Sequence, residues 1–192
     1  AVEQADILLF GSLVCRDEYS RKTLFQLIEK AQKTVFDVNL RAPFYSQSLL
    51  ESLLQKADVV KVNDEELDII TGWYSLENNI TAQIQLVMDK FDIETIVMTK
   101  GKHGAFCMHN KELVTQKSFP VEVRDTVGAG DAFLAAFITK MLYGETWQGC
   151  LEFACATGAL VATKSGGTPE INEALVKDFL LSQQSKPQLN NN

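Results

Sequence analysis

Short apolar runs alternate along the chain with longer segments in which apolar residues recur every three or four positions. The apolar runs predict buried strands at residues 5–10, 34–38, 57–62 and 93–99. The helical spacing predicts helices at residues 16–33, from 46 onward, at 63–70 and at 80–91. Alternating strands and helices predict an α/β fold, with a parallel sheet covered by helices on both faces.

The second half of the chain has other patterns. Two short runs predict a hairpin around Asn110 and Lys111, and small residues dominate a long segment suited to close helix packing. We see no repeat and no dividing linker, so residues 1–181 are expected to form one domain, followed by a polar, disordered tail at 182–192. The predicted elements are hairpin strands at 105–109 and 112–116, a helix containing Phe133, Phe137 and Met141, and helices at 146–163 and 172–181.

Composition narrows the class of protein. The chain has 192 residues, of which 46% are hydrophobic, enough for a sizeable core. Its 18 basic and 25 acidic residues give a net charge of −7, which argues against nucleic acid as a partner. No apolar run is long enough to cross a membrane and no signal peptide is recognisable, so we expect no membrane partner and a cytoplasmic location.

The cysteines and histidines give no sign of a metal site. The cysteines have apolar neighbours and form no Cys-x-x-Cys pair, which predicts buried, reduced thiols. His103 and His109 are six positions apart without a supporting ligand cluster, so zinc is not expected. The cysteines are Cys15, Cys107, Cys150 and Cys155.

A glycine-rich segment opens the predicted helix that contains Phe133. Gly128, Ala129 and Gly130 let the backbone approach a ligand closely, and a helix N-terminus attracts an anion such as phosphate. Asp131 then falls in the first helical turn, where its carboxylate can accept a proton from a hydroxyl that attacks the phosphate. The alternative is that Asp131 only interacts favourably with the helix dipole.

Polar residues also follow two predicted strands. Asp37, Asn39 and Arg41 occupy alternate positions as a strand ends, so all three are expected to project to one side. The guanidinium of Arg41 suits a phosphate, although an ordinary polar loop with a surface ion pair is the alternative. Asn63 and Glu66 follow the next strand and have the spacing of a helix-capping arrangement.

The run from Asp125 to Phe133 resembles the second signature of the PfkB, or ribokinase-like, carbohydrate kinases, usually Asp-Thr-x-Gly-Ala-Gly-Asp-x-Phe. Val127 stands where many members have Thr. The resemblance implies Asp131 as the catalytic base that takes the proton of the bound sugar, and residues 128–130 as an anion hole. It also implies a ribokinase-like three-layer αβα sandwich with a mostly parallel central sheet.

Three further segments resemble elements of this family. Residues 37–41 resemble the Asp-x-Asn-x-Arg element of bacterial fructokinases, which implies substrate contacts for Asn39 and Arg41 and a phosphate contact for Arg41. Asn63 and Glu66 resemble the Asn-x-x-Glu element, which organises the phosphates and a Mg²⁺ ion, held by Glu66 through water. Residues 99–104 resemble the Thr-x-Gly-x-x-Gly segment along the nucleotide, which implies ATP contacts for Thr99, Gly101 and Gly104.

Residues 154–167 resemble the closing helix of the family and its Lys-Gly-Ala loop, with Gly166-Gly167 in place of Gly-Ala. In the family this loop borders adenine and a monovalent cation. The resemblance thus assigns Gly128, Gly130 and Gly166 to the nucleotide site. By position, K⁺ would be surrounded by Asp125 and the backbone carbonyls of Val127, Val161, Lys164 and Gly166.

The resemblance extends to about Leu181, but family members have a further N-terminal third that carries the first signature, most sugar contacts and a β-lid. We therefore expect a chain that lacks the N-terminal strands and lid, leaving one sheet edge exposed, and a homodimer only in a complete protein. The resemblance implies an ATP- and Mg²⁺-dependent sugar kinase, most like a fructokinase that phosphorylates the primary hydroxyl of D-fructose. The alternatives are another acceptor (2-keto-3-deoxygluconate, ribose or a nucleoside) or a non-catalytic nucleotide-binding remnant.

Overall fold

The computed structural model describes residues 1–184. The strands are β1 (Leu8–Gly11), β2 (Thr34–Asp37), β3 (Val59–Asn63), β4 (Thr95–Thr99), β5 (Ala105–His109) and β6 (Glu112–Gln116). The helices are α1 (Glu18–Ile28), α2 (Gln47–Leu54), α3 (Asp64–Gly72), α4 (Ile80–Phe91), α5 (Ala129–Leu142), α6 (Trp147–Ala162) and α7 (Glu173–Gln184). Short 3-10 segments cover Val2–Gln4, Ser12–Arg16 and Gly101–His103.

The strands form one mixed sheet in the order β1-β2-β3-β4-β5-β6. Strands β1 to β4 are parallel, and helices connect each to the next, which confirms the predicted α/β fold with a mostly parallel sheet. Val35, Val59 and Ile96 are fully buried, as expected for parallel strands covered on both faces. Strand β1 lies at one edge of this sheet, and Leu9 on it is 50% exposed.

The hairpin and the caps follow from local residue chemistry. Asn110 and Lys111 both have positive φ, at 45° and 74°, as a two-residue hairpin turn requires, and the strands on either side have the predicted bounds. Helix α4 begins and ends as predicted, because Asn79 accepts a hydrogen bond from Ala82 N and Asp92 closes the helix in the left-handed conformation.

Two predictions for the first elements are wrong in their bounds. Strand β1 starts at Leu8, because the ladder with β2 begins with the pair Leu8 and Thr34, and it ends at Gly11. The helix predicted at residues 16–33 covers only Glu18–Ile28. Asp17 has an extended backbone and accepts a hydrogen bond from Ser20 N at 2.9 Å, so it starts the helix and separates it from the preceding 3-10 turn.

The last helix is longer than predicted. It reaches Gln184, so residues 182–184 of the expected disordered tail are helical. The ring of Phe119 meets that of Phe179 edge to face, with centroids 5.5 Å apart, which gives this helix an aromatic contact. The rest of the predicted tail, residues 185–192, lies outside the described residues.

The chain divides into two compact units, described separately below. The N-terminal unit is Ala1–Thr99 with Cys107–Leu113, and the C-terminal unit is Lys100–Phe106 with the chain from Val114 onward. The single domain predicted for residues 1–181 therefore stays a prediction. All four cysteines are buried thiols outside any disulfide, as predicted. Within residues 1–184, no helix has both the length and the apolar character needed to span a bilayer.

Candidate active site

In the C-terminal unit, the glycine-rich segment forms the start of α5. Gly128 is the N-cap, with φ 79° and ψ −10°, a left-handed conformation that favours glycine. A Cβ at this position would lie 1.9 Å from the carbonyl oxygen of Gly167, so the two backbone segments can meet only at a glycine. The signature loop and the loop that follows α6 are therefore in direct contact.

The amides at this helix start are partly available to a ligand. Ala129 N donates to the carbonyl of Thr126 at 3.2 Å, so this one of the three predicted anion-hole amides already has an acceptor. The N–H groups of Gly130 and Asp131 have no backbone or side-chain acceptor within residues 1–184. Free amides at a helix N-terminus are a suitable site for a phosphate.

Asp131 lies in the first turn of α5, as predicted, and is exposed. None of the described residues donates a hydrogen bond to its carboxylate, which leaves both oxygens open to a ligand. Asp131 borders a cleft of about 510 Å³ formed by α5, α6 and residues 167–176. Much of the cleft wall is apolar, including Ala132, Ala135 and Phe153.

A charged cluster lines the same cleft further along α5. Lys140 is buried, and its Nζ lies 2.9 Å from Glu173 Oε1 and 4.4 Å from the ring centroid of Phe153. It is nine residues beyond Asp131, or about 13 Å along the helix. Lys177 and Lys140 together lower the pKa of Glu173 to about 2, because both ammonium groups donate hydrogen bonds to its carboxylate and favour its negative charge. Sequence reasoning did not find this cluster, because its members come from two different helices.

Asp125 joins the signature to the loop after α6. Its Oδ1 accepts a hydrogen bond from Val127 N at 3.0 Å, and its Oδ2 accepts one from Gly166 N at 3.2 Å. Of the residues assigned to a K⁺ site, the structure thus brings Asp125, Val127 and Gly166 together. The carbonyl of Val161 accepts from Lys164 N at 2.9 Å in the turn that ends α6. Carboxylate and carbonyl oxygens are suitable ligands for such a cation, so the residues fit, and the site stays a prediction.

In the N-terminal unit, Asp37 forms an ion pair that the sequence analysis missed. Lys61 Nζ lies 3.0 Å from Asp37 Oδ1, and both residues are buried, at paired positions on β2 and β3. A lysine within the apolar run from Val59 to Val62 was the available signal, since a buried lysine needs a partner.

The strand end at Asp37 does not have the predicted geometry. The expectation that Asp37, Asn39 and Arg41 project to one side assumed an extended backbone through all three residues, and it is wrong. Strand β2 ends at Asp37, and Asn39 has φ 38°, so the alternation of an extended strand does not continue through the loop. Asp37 points to Lys61 in the interior, whereas Arg41 is exposed and available to a ligand. Asn39 is half-buried, and its carbonyl accepts from Ser12 Oγ at 3.2 Å.

Asn63 and Glu66 form the predicted capping box at the start of α3. Asn63 Oδ1 accepts from Glu66 N at 2.8 Å, and Glu66 Oε2 accepts from Asn63 N at 2.9 Å. The other carboxylate oxygen of Glu66, Oε1, accepts from Leu40 N at 2.9 Å. Both oxygens therefore already hold an amide, which leaves room for a water-mediated contact to Mg²⁺ more readily than for direct coordination.

The segment assigned to the nucleotide makes a tight turn after β4. In the N-terminal unit, Thr99 is half-buried and its hydroxyl lies 3.5 Å from the carbonyl of Val62. In the C-terminal unit, Gly101 and Gly104 have φ 49° and 99°, and Lys100 N donates to the carbonyl of Gly104 at 2.8 Å. A Cβ on Gly104 would lie 2.0 Å from the carbonyl oxygen of Gln116, so this position requires glycine.

Residues 1–174 match the sequence profile of the pfkB family carbohydrate kinases. The chain belongs to this family. The 2-dehydro-3-deoxygalactonokinase of Haloferax volcanii is 31% identical over 157 residues, which cover 78% of this chain and 48% of that protein. Fructokinase-2 of Solanum lycopersicum is 29% identical over 189 residues, 90% of this chain and 56% of that protein. The chain thus spans about half the length of these relatives.

Solved structures agree with the family assignment. The fructokinase of Vibrio cholerae O395, crystallised with fructose, ADP and calcium, has a TM-score of 0.80 at 28% identity, over 91% of this chain and 60% of that chain. The 2-dehydro-3-deoxygluconokinase of Thermotoga maritima has a TM-score of 0.83 at 20% identity, over 93% of this chain and 60% of that one, and shows the shared fold. The ribokinase-like fold predicted from the sequence is confirmed.

Proposed function

We propose that this pfkB family chain carries the nucleotide-binding and catalytic part of an ATP-dependent sugar kinase. The kinase transfers the γ-phosphate to the primary hydroxyl of a sugar, with D-fructose as the first candidate. The observation that carries this proposal is the exposed Asp131 carboxylate beside the unpaired amides of Gly130 and Asp131 at the start of α5. A base and an anion site are thereby adjacent.

In the proposed reaction Asp131 takes the proton of the sugar hydroxyl as its oxygen attacks the γ-phosphorus. A bond forms between the sugar oxygen and phosphorus, the bond to the bridging oxygen of ATP breaks, and ADP leaves. The amides at the start of α5 stabilise charge on the transferring group, and each such donor contributes about 3 kcal/mol to lowering a barrier of this type. The proposal gives Arg41 the same task and Asn39 a sugar contact.

Two cations belong to the proposal. Mg²⁺ neutralises the phosphates of ATP when bound, and Asn63 and Glu66 are proposed to organise its waters. Thr99, Gly101 and Gly104 are proposed to lie along the nucleotide, together with Gly128 and Gly166. K⁺ is proposed at Asp125, whose carboxylate already links Val127 to Gly166 in this structure.

The acceptor has three supported candidates, one of them over a shorter stretch of the chain. Fructose is supported by fructokinase relatives that match 90% of the chain, with 29% identity, and by the fructokinase structure at 28% identity. A 2-keto-3-deoxy sugar acid is supported by the Haloferax volcanii relative, which is 31% identical. Ribose is supported over a shorter stretch, since the ribokinase of Haemophilus influenzae is 30% identical over 129 residues. A nucleoside acceptor and a non-catalytic remnant stay predictions of the sequence.

The test is ADP release from Mg-ATP in the presence of KCl and one sugar at a time, by the full-length kinase that contains this chain. Release that depends on fructose supports the first candidate, and release that depends only on the deoxy sugar acid supports the second. Asp131→Asn should lower turnover about a hundred- to ten-thousand-fold while ATP affinity stays nearly unchanged. Unchanged turnover would overturn the role of Asp131. A protein that binds ATP but releases no ADP with any of the sugars would support the alternative of a non-catalytic nucleotide-binding remnant.

A further inference from the structure

Glu66 makes one contact more than a helix cap requires. Its Oε2 bonds to Asn63 N within the capping box, whereas its Oε1 bonds to Leu40 N, which belongs to the loop after β2. Both distances are 2.9 Å, and Glu66 is only 6% exposed. One buried carboxylate therefore holds a backbone amide of the loop after β2 and the amide of Asn63, the last residue of the neighbouring parallel strand β3.

The loop after β2 needs such support. Residues 38–41 form no regular secondary structure, and Asn39 has φ 38°, a conformation that is costly for a residue other than glycine and persists only when its surroundings enforce it. Val38 N donates to the carbonyl of Lys61 at 3.1 Å, and Ser12 Oγ donates to the carbonyl of Asn39 at 3.2 Å. The bond from Leu40 N to Glu66 then fixes the residue immediately before Arg41.

We propose that Glu66 is a positioning residue that couples the loop carrying Asn39 and Arg41 to the start of α3, where Asn63 lies. The inference rests on the proposed function, in which Asn39 and Arg41 contact the sugar and the transferring phosphate. The negative charge matters because bonds from N–H groups to a carboxylate are stronger than bonds to a neutral acceptor. A glutamine at this position has one acceptor oxygen and one NH₂ group, so it can accept only one of the two amides.

Amide hydrogen exchange tests the positioning role without any need for catalysis. In the 192-residue chain, Glu66→Ala removes both acceptors and should accelerate exchange at Leu40 about 10- to 100-fold, as expected when a charge-assisted bond is lost. Glu66→Gln keeps one acceptor and should accelerate exchange at either Leu40 or Asn63. Glu65→Gln changes an exposed carboxylate in the same helical turn and should leave Leu40 unchanged. Asn63→Ala removes the bond to Glu66 N but not the one from Leu40 N, so Leu40 should stay protected. Unchanged Leu40 exchange in Glu66→Ala would overturn the proposal.

Kinetics of the full-length kinase then separate positioning from a role in the metal site alone. If Glu66 positions Arg41, Glu66→Gln should raise the sugar KM. The rise in KM for the double variant with Arg41→Ala should then be clearly smaller than the product of the two single-variant effects. If Glu66 acts only through the metal, the Mg²⁺ concentration required for half-maximal rate shifts and the two effects multiply, which would overturn the inference. A protein without kinase activity but with Leu40 exchange dependent on Glu66 would refute the proposed function while leaving the coupling of the loop after β2 to the start of α3 intact.

Discussion

Lys61 Nζ lies 3.0 Å from Asp37 Oδ1, and the two side chains are only 10% and 12% exposed. Asp37 and Lys61 are register partners on neighbouring parallel strands, and Asp37 is the last residue of β2, at the carboxyl end where open α/β sheets bind their ligands. Removing two charges from water costs free energy that their mutual attraction repays only while both are present. The pair therefore makes the geometry of this sheet edge depend on both residues.

Lys61→Met should destabilise the protein strongly, because it leaves the Asp37 carboxylate buried without a counter-charge. We expect a loss of about 3–5 kcal/mol in the free energy of unfolding, measured by urea denaturation at neutral pH. The double variant Lys61→Met with Asp37→Leu is the matched control, and it should recover most of that loss. A single variant that loses less than about 1 kcal/mol would show that the pair is solvated and contradict this account.

The parts of the fold that could be predicted depend on neighbours in sequence. The turn at Asn110 and Lys111 and the capping box of Asn63 with Glu66 are set by residues one to three positions apart. The position of Asp131 in the first turn of α5 follows in the same way from the glycines before it. Such features could be read directly from the sequence because the interacting groups are local.

The features that could not be predicted join residues far apart in sequence. Lys61 binds a residue 24 positions away, and the second bond of Glu66 reaches a residue 26 positions away. The close contact of Gly128 with Gly167 likewise exists only once the two loops meet. The alternation from Asp37 to Arg41 failed because one left-handed residue, Asn39, changes the direction of the side chains after it.

Gly128→Ala should lower the stability of the protein far more than an alanine substitution at a comparable glycine. The substitution adds a left-handed penalty of about 1–2 kcal/mol and a Cβ that would lie 1.9 Å from the carbonyl oxygen of Gly167. Gly144→Ala has the same backbone problem, with φ 72°, but no heavy atom within 4 Å of the added Cβ. The unfolding temperature should therefore fall clearly further for Gly128→Ala than for Gly144→Ala. Equal losses would mean that the loops separate freely and do not hold each other.

Asp125→Asn should loosen the contact between the signature and the loop after α6. The carboxylate accepts from Val127 N and Gly166 N, and an asparagine can accept only one of these amides. Because Asp125 is partly exposed, we expect a modest loss of about 1 kcal/mol in stability, together with faster amide exchange at Val127 or Gly166, whichever loses its acceptor. Glu122→Gln, an exposed carboxylate nearby in sequence, serves as the control and should change neither. Unaltered exchange at both amides would argue that other contacts hold the loop.

Glu173 should make the attachment of α7 depend on pH. Lys177 and Lys140, each 2.9 Å away, lower its pKa to about 2, so the folded protein binds this proton more weakly than the unfolded chain does. The stabilisation is then fully present above the ordinary glutamate pKa of about 4.3 and is lost as the pH falls towards 2. Glu173→Gln should lower the unfolding temperature at pH 6 but hardly at pH 2.5, whereas Asp178→Asn on the same helix should show no such trend. A Glu173→Gln effect that is constant across this range would mean that the charge of Glu173 contributes nothing to holding the helix.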